Sequence, residues 1–221
     1  MKFVVNRILS LCLSAFLLCG CVTTKNVELS NQFWKERDQK IALVIVKPPT
    51  PSVYKIGEQG VIDIVINSAM NSKLSNHLKN IELQWYYNSL PSAFEKKLKR
   101  SHFAIAKYDV QEAVAEKNYA RLLASTDSDL LLLIQLNAIG VQRNYFGFIP
   151  TSDPKGYCAL EGQLIDVKNN NKVLWRYATS LTQPITGPWK QPPTYPNVTD
   201  SIETATEVVQ KELMDSFFSE H

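Results

Sequence analysis

The stretch Leu130-Leu-Leu-Leu-Ile-Gln-Leu136 constrains this chain more than any other. Every side chain in it except Gln135 is large and aliphatic, and Asp127-Ser-Asp129 marks off its start. A bilayer span needs about 20 apolar residues, so this run is far too short to be one. A sheet wetted on one face alternates apolar and polar, and this run does not. It predicts a central strand covered on both faces, with alternation setting in as it continues to Val141 or beyond.

Its partners follow from the same reasoning. Ile41-Ala-Leu-Val-Ile-Val46 is β-branched, apolar and stopped by Lys47-Pro-Pro-Thr-Pro51, which reads as a second doubly buried strand followed by an extended connection. Phe103–Tyr108 reads as a short strand. Tyr157–Val167 alternates, Lys168-Asn-Asn-Asn-Lys172 tolerates positive φ, and Val173–Thr179 returns, which together predict an antiparallel hairpin.

Helical periodicity covers the rest. From Gly60 to Leu78, Ile62, Val65, Ile66, Ala69, Met70, Leu74 and Leu78 follow i, i+3, i+4 spacing, with Asp63, Asn67, Asn71, Lys73 and Asn76 opposite. This predicts one helix of about five turns with its apolar side inward. Residues 81–87 fit helix or strand. Ser92 with Glu95 has capping-box spacing and predicts a helix over Ala93–Arg100, whose basic end suits the dipole. Val110–Ser125 is helical, and Asp200 caps a last helix over Ser201–Phe218 that buries Ile202, Ala205, Val208, Val209, Leu213 and Phe217. The order predicts an α/β or α+β fold: a mixed sheet of about four or five strands, helices packed on it, a closing meander hairpin and a C-terminal helix.

The amino terminus reads as an address. Lys2 and Arg7 precede an uncharged core from Ile8 to Leu18, about eleven residues long, the length of a signal core and too short to span. It ends Leu18-Cys19-Gly20-Cys21. This resembles the lipobox of bacterial lipoproteins, with leucine at −3, a small residue at −1 and the acceptor Cys at +1. The resemblance implies cleavage after Gly20, lipidation of Cys21 (diacylglycerol on the thiol, acylation of the new amine) and anchoring through two or three chains. Val22 at +2, by the same resemblance, implies the outer membrane, facing the periplasm. The organisation expected is a signal peptide over 1–20, a lipidated tether over 21–39, with room for a short helix around Asn31–Arg37, and one α/β domain over 40–221.

Two segments carry a second resemblance. Asp127-Ser-Asp129 leading into Leu130-Leu-Leu-Leu-Ile, and Leu164-Ile-Asp-Val-Lys-Asn-Asn-Asn-Lys-Val-Leu-Trp175, resemble the corresponding strand and hairpin of periplasmic assembly lipoproteins. That group includes the curli-secretion lipoprotein and the lipoprotein activators of penicillin-binding proteins. Membership implies an α/β fold like the N-terminal domain of the translocation protein TolB. The Pro-rich segment Gln183–Pro196 departs from the group's pattern.

Few residues offer chemistry. Lys+Arg 24 against Asp+Glu 21 is too balanced for a nucleic-acid binder. His77, His102 and His221 lack metal-ligand spacing, and no nucleophile-elbow, Walker or paired-cysteine motif occurs. Asp127 and Asp129 suit helix capping and strand entry better than joint catalysis. Once the signal is cleaved, Cys158 is the only unmodified thiol, and it lies in an apolar run that favours burial. The expectation is therefore no enzyme, no metal and no cofactor; a periplasmic hydrolase built on Cys158 and His102 is the weakest alternative. The basic run Lys96, Lys97, Lys99 and Arg100 reads as a solvated helix end.

Two aromatic segments remain as candidate partner-binding sites: Tyr145, Phe146, Phe148 and Ile149 on one loop, and Trp189 and Tyr195 on the Pro-rich one. Exposed aromatics bury much area at little entropic cost; the opposing reading is that both loops fold back over the ends of the sheet. The partners expected are the membrane, through the lipid, and an envelope protein or a second copy. A ring or pore subunit of a secretion system is the alternative to an assembly, secretion-accessory or regulator subunit.

Overall fold

A computed structural model describes residues 25–35, 39–100, 104–108, 119–124 and 127–219. The signal peptide, Cys21, His102, His221 and most of the helix expected over 110–125 lie outside these residues.

The strands are β1 (Lys40–Ile45), β2 (Ser52–Ile56), β3 (Ala104–Tyr108), β4 (Leu130–Phe146), β5 (Ile149–Pro150), β6 (Lys155–Asp166) and β7 (Lys172–Pro184). The helices are α1 (Val61–Met70), α2 (Ser72–Lys79), α3 (Gln84–Arg100), α4 (Tyr119–Ala124) and α5 (Val198–Phe217). The main path through the sheet is β3-β1-β4-β6-β7, with β2 and β5 also paired to β4. β1 runs parallel to β3 and β4, while β4, β6 and β7 form the antiparallel meander. The mixed α/β sheet expected from the sequence is the architecture found.

β4 is the spine. Its first residues, 130–134, pair with β1, and residues 140–144 pair with β2, so two parallel strands follow one another along one edge. The Pro-rich connection 46–51 carries the chain between them, since prolines cannot supply the missing ladder donors. Opposite that gap the backbone N–H of Ile139 donates to the Tyr54 hydroxyl at 3.2 Å. β2 itself was not expected from the sequence, because Ser52–Ile56 is short and only half buried.

Apolar side chains fill both faces. Ile41, Leu43 and Ile45 point to the side of α2, α3 and α5, whereas Ala42 and Val44 join Leu122, Leu123, Leu131, Leu133 and Ile165 beneath α4. α5 lies on β6 and β7, burying Val198, Ile202, Ala205, Val209, Leu213 and Phe217 at helical spacing. Val208 faces outward instead. α5 starts a turn before Asp200, with Asn197 as its N-cap in the left-handed region. Trp175 is fully buried, its ring 4.9 Å from Phe217 in a T-shaped pair.

Three expectations need correction. The stretch expected to be a tether is partly folded: Val27 exchanges both backbone hydrogen bonds with Arg176 on β7, at 2.8 and 2.9 Å. Leu29 and Phe33 are buried in the main core, each contributing roughly 1.5–3 kcal/mol of transfer free energy. The helix expected from Ala93 begins at Gln84 and carries Pro91 inside it, so Ser92 is no cap. The single helix expected over 60–78 is two, divided at Asn71, and its first half faces the wrong way for a core helix.

Candidate interaction surface

α1 is built inside out. Asp63, Asn67 and Asn71 recur every four residues and form one polar stripe, and that stripe is turned toward the protein. Asn67 has no exposed surface, while Val61 is 82%, Ile62 74% and Val65 66% exposed; Ile64, Ile66 and Met70 are also outward. Periodicity told the two sides of this helix apart but could not say which side the protein takes.

The inward stripe is polar because it meets backbone. β4 and β5 form a tight hairpin whose tip is Gly147-Phe148, with Phe146 opposite Ile149. The Asn67 amide donates to the Gly147 carbonyl at 3.0 Å and to Gln59 Oε1 at 3.2 Å. The Asn71 amide donates to the Tyr145 hydroxyl and to the Asn67 carbonyl, both at 2.7 Å. This second bond competes with helical continuation and accounts for the break between α1 and α2. The Asp63 carboxylate accepts from the Gly60 N–H at 2.8 Å, capping α1.

The chain reaches α1 through Gly57, whose φ of 120° suits glycine alone; a Cβ there would stand 2.1 Å from the Tyr145 carbonyl oxygen. That contact lets the Gly147 N–H reach the Glu58 carbonyl at 3.2 Å. Lys55 on β2 donates to Ser68 Oγ at 3.0 Å, and partial burial lowers its pKa. Hairpin tip, β2 and α1 are thus joined by polar contacts, and both α1 and the tip turn apolar side chains outward.

The aromatic candidates divide. Phe146 is 73% exposed, and Phe148 and Ile149 are outward beside it. Tyr145 is buried, holding Asn71, so it supports the surface and does not present to a partner. Trp189 is half-buried, with the Arg143 guanidinium 5.5 Å from its ring; the same guanidinium lies 5.9 Å from Tyr145. Tyr195 is buried against His77, ring centroids 5.4 Å apart. The Pro-rich loop therefore folds inward at both aromatics. What the sequence reading missed is α1, which outweighs the hairpin tip in exposed apolar side chains.

Cys158, Asp127 and Asp129 each have structural partners. Cys158 is buried, hydrogen-bonded to Thr206, and burial pushes its thiol pKa to about 11. Asp127 pairs with Lys40, which holds its carboxyl below the usual range, and Asp129 pairs with Lys168. The two carboxylates thus serve separate lysines. Among the described residues no group of three or more His, Cys, Asp or Glu side chains could hold a metal ion, and no helix is long and apolar enough to cross a membrane.

No family model matches the sequence, and no curated protein matches it significantly. Among solved structures, the chain aligns with the hypothetical protein CT253 from Chlamydia trachomatis at 8% identity and a TM-score of 0.42, covering 79% of this chain and 94% of that one. Lipoprotein GNA1162 from Neisseria meningitidis aligns at 12% identity and 0.31, covering 79% and 99%. The LpoB C-terminal domain from Salmonella enterica aligns at 11% identity and 0.24, covering 69% and 93%. The solved structures aligned with this chain thus include a bacterial lipoprotein, at identities too low to say what either one binds.

Proposed function

We propose that this chain is a non-catalytic, lipid-anchored protein of the bacterial envelope, held at the outer membrane through Cys21. It works by binding, as an assembly, secretion-accessory or regulator subunit, and its working surface is α1 with the β4–β5 tip. One observation carries this reading: a helix whose polar stripe is satisfied inside and whose apolar side chains face out. Single exposed apolar residues are ordinary, but a contiguous apolar patch marks a contact site. The inward polar contacts fix the helix in this orientation, so its exterior is not a core face awaiting repair.

The test uses the acylated chain extracted from envelope. Mass spectrometry of the mature amino terminus should find Cys21 modified and residues 1–20 absent; an intact Met1 overturns the anchor. A photo-crosslinking residue at Val65, exposed on the same surface, should capture an envelope component, and Phe146→Ala with Phe148→Ala should reduce that capture at least tenfold. Unchanged capture by the double variant means that the surface is misplaced.

A further inference from the structure

We infer that the occupant of this surface is the lipid bilayer itself: α1 lies in the interfacial region, parallel to the membrane, with the β4–β5 tip beside it. The inference rests on the reading above, that this is a binding surface in the envelope, and names what it binds.

The first argument is the breadth of the apolar arc. At 100° per residue, the polar stripe of Asp63, Asn67 and Asn71 occupies about 80° of the helix circumference. The rest, from Ile64 round through Val65 and Ile62 to Met70, spans roughly 240° and carries no charge, with Ser68 its only polar side chain. A protein partner docking on one side of a helix takes i, i+3, i+4, i+7 anchors, a much narrower face. A fluid apolar phase wraps whatever is offered. A helix about 15 Å long whose outward arc carries no charge, with exposed aromatics beside it, can lie in the interface with its apolar side in the acyl boundary.

The second argument is where the anchored chain leaves the domain. Val27 pairs with Arg176 antiparallel, and the Asn26 side chain accepts from the Ala178 N–H at 3.1 Å. Read backward toward Cys21, the chain therefore runs along β7 in the direction of Pro184, the end that meets Lys155 and, across β6, Gln142 on β4. That is the end carrying the tip. Residues 21–24 add at most about 14 Å of reach beyond Lys25. Ala178 lies level with Gln135, about eleven residues or roughly 36 Å of strand before Phe146. Anchor and tip meet one membrane only if the strands lie oblique to it, so two-point contact sets the tilt of the whole sheet.

The experiment places the acylated chain in vesicles of phosphatidylethanolamine and phosphatidylglycerol. An environment-sensitive fluorophore is attached at Val65→Cys or Phe148→Cys, with Lys172→Cys, exposed at the end of β7 away from Pro184, as control. Cys158 is buried and takes no label in the folded protein. The inference expects blue-shifted, several-fold brighter emission at positions 65 and 148, quenched by nitroxide-bearing acyl chains, and none of this at 172. A blue shift at 65 that grows with protein concentration and ignores the lipid quencher means that a second copy covers α1; a blue shift appearing only in native envelope vesicles means another protein does. Either result overturns the bilayer as occupant while leaving the binding surface intact. Water-like emission at 65 and 148 in both vesicle types removes the binding surface as well.

Discussion

Asn67 is the position on which the inside-out helix depends, and replacing it with leucine tests that dependence. The change removes two neutral hydrogen bonds, to Gly147 O and Gln59 Oε1, each with a net contribution of about 1 kcal/mol. It also strips the half-buried Gly147 carbonyl of its side-chain donor, a further cost of about 1 kcal/mol. Against this, Asn67 Oδ1 is buried without a hydrogen-bond partner among the described residues, so its removal relieves about 1 kcal/mol or more. Leucine also brings apolar volume to a fully buried site. The balance is a loss of about 1–2 kcal/mol, or roughly 3–6 °C in Tm for a domain of this size. Urea denaturation measures the global part, and amide exchange at Gly147, whose N–H binds Glu58 O, measures the local part. Should Asn67→Leu prove as stable as the parent, with Gly147 equally protected, the polar stripe does not hold α1 and the outward face loses its rationale.

Phe33→Ala should cost about 3–4 kcal/mol by urea denaturation, because Phe33 is buried beside Phe217; a loss below 1 kcal/mol means that residues 26–35 are only a tether. Burial raises the Cys158 pKa from 9.0 to about 11, so its contribution to stability is complete below pH 9. Between pH 9 and 11 the unfolded chain ionises first and that contribution declines, by roughly 2–3 kcal/mol in all. Cys158→Ala should flatten this decline, and a thiol reagent at pH 8 should label Cys158 only in denaturant. Gly57→Ala should shift the tip, since its methyl would meet the Tyr145 carbonyl; loss of exchange protection at Gly147 with the core amides unaffected is the expected signature, and unchanged protection there refutes it.

How much of this was legible beforehand depended on whether the deciding physics was local. Leu130–Ile134 and Ile41–Ile45 are apolar without interruption, which is the pattern of a strand covered on both faces. The Asn170 and Asn171 turn was equally readable, because both residues adopt the positive φ that asparagine tolerates. α1 was not, since Asn67 and Asn71 are drawn inward by a carbonyl and a phenol some eighty residues away. Ser92 with Glu95 gave a local signal that favoured starting a helix there, yet Tyr86, Leu90, Phe94 and Leu98 all reach the core, and their packing outweighs the hydrogen bond lost at Pro91. Phe33 stood in a polar stretch too short for periodicity to register.

The way the first segment is fastened has a mechanical consequence. Tension drawn through the amino-terminal side, where the anchor is proposed, would reach the Asn26–Ala178 hydrogen bond first and then the two backbone hydrogen bonds between Val27 and Arg176. Leu29 and Phe33 come next, wedged among core side chains and harder to withdraw. With Cys21 lipidated as proposed, the body would stay close to its point of attachment until a pull strong enough to draw out a phenylalanine lengthened the connection.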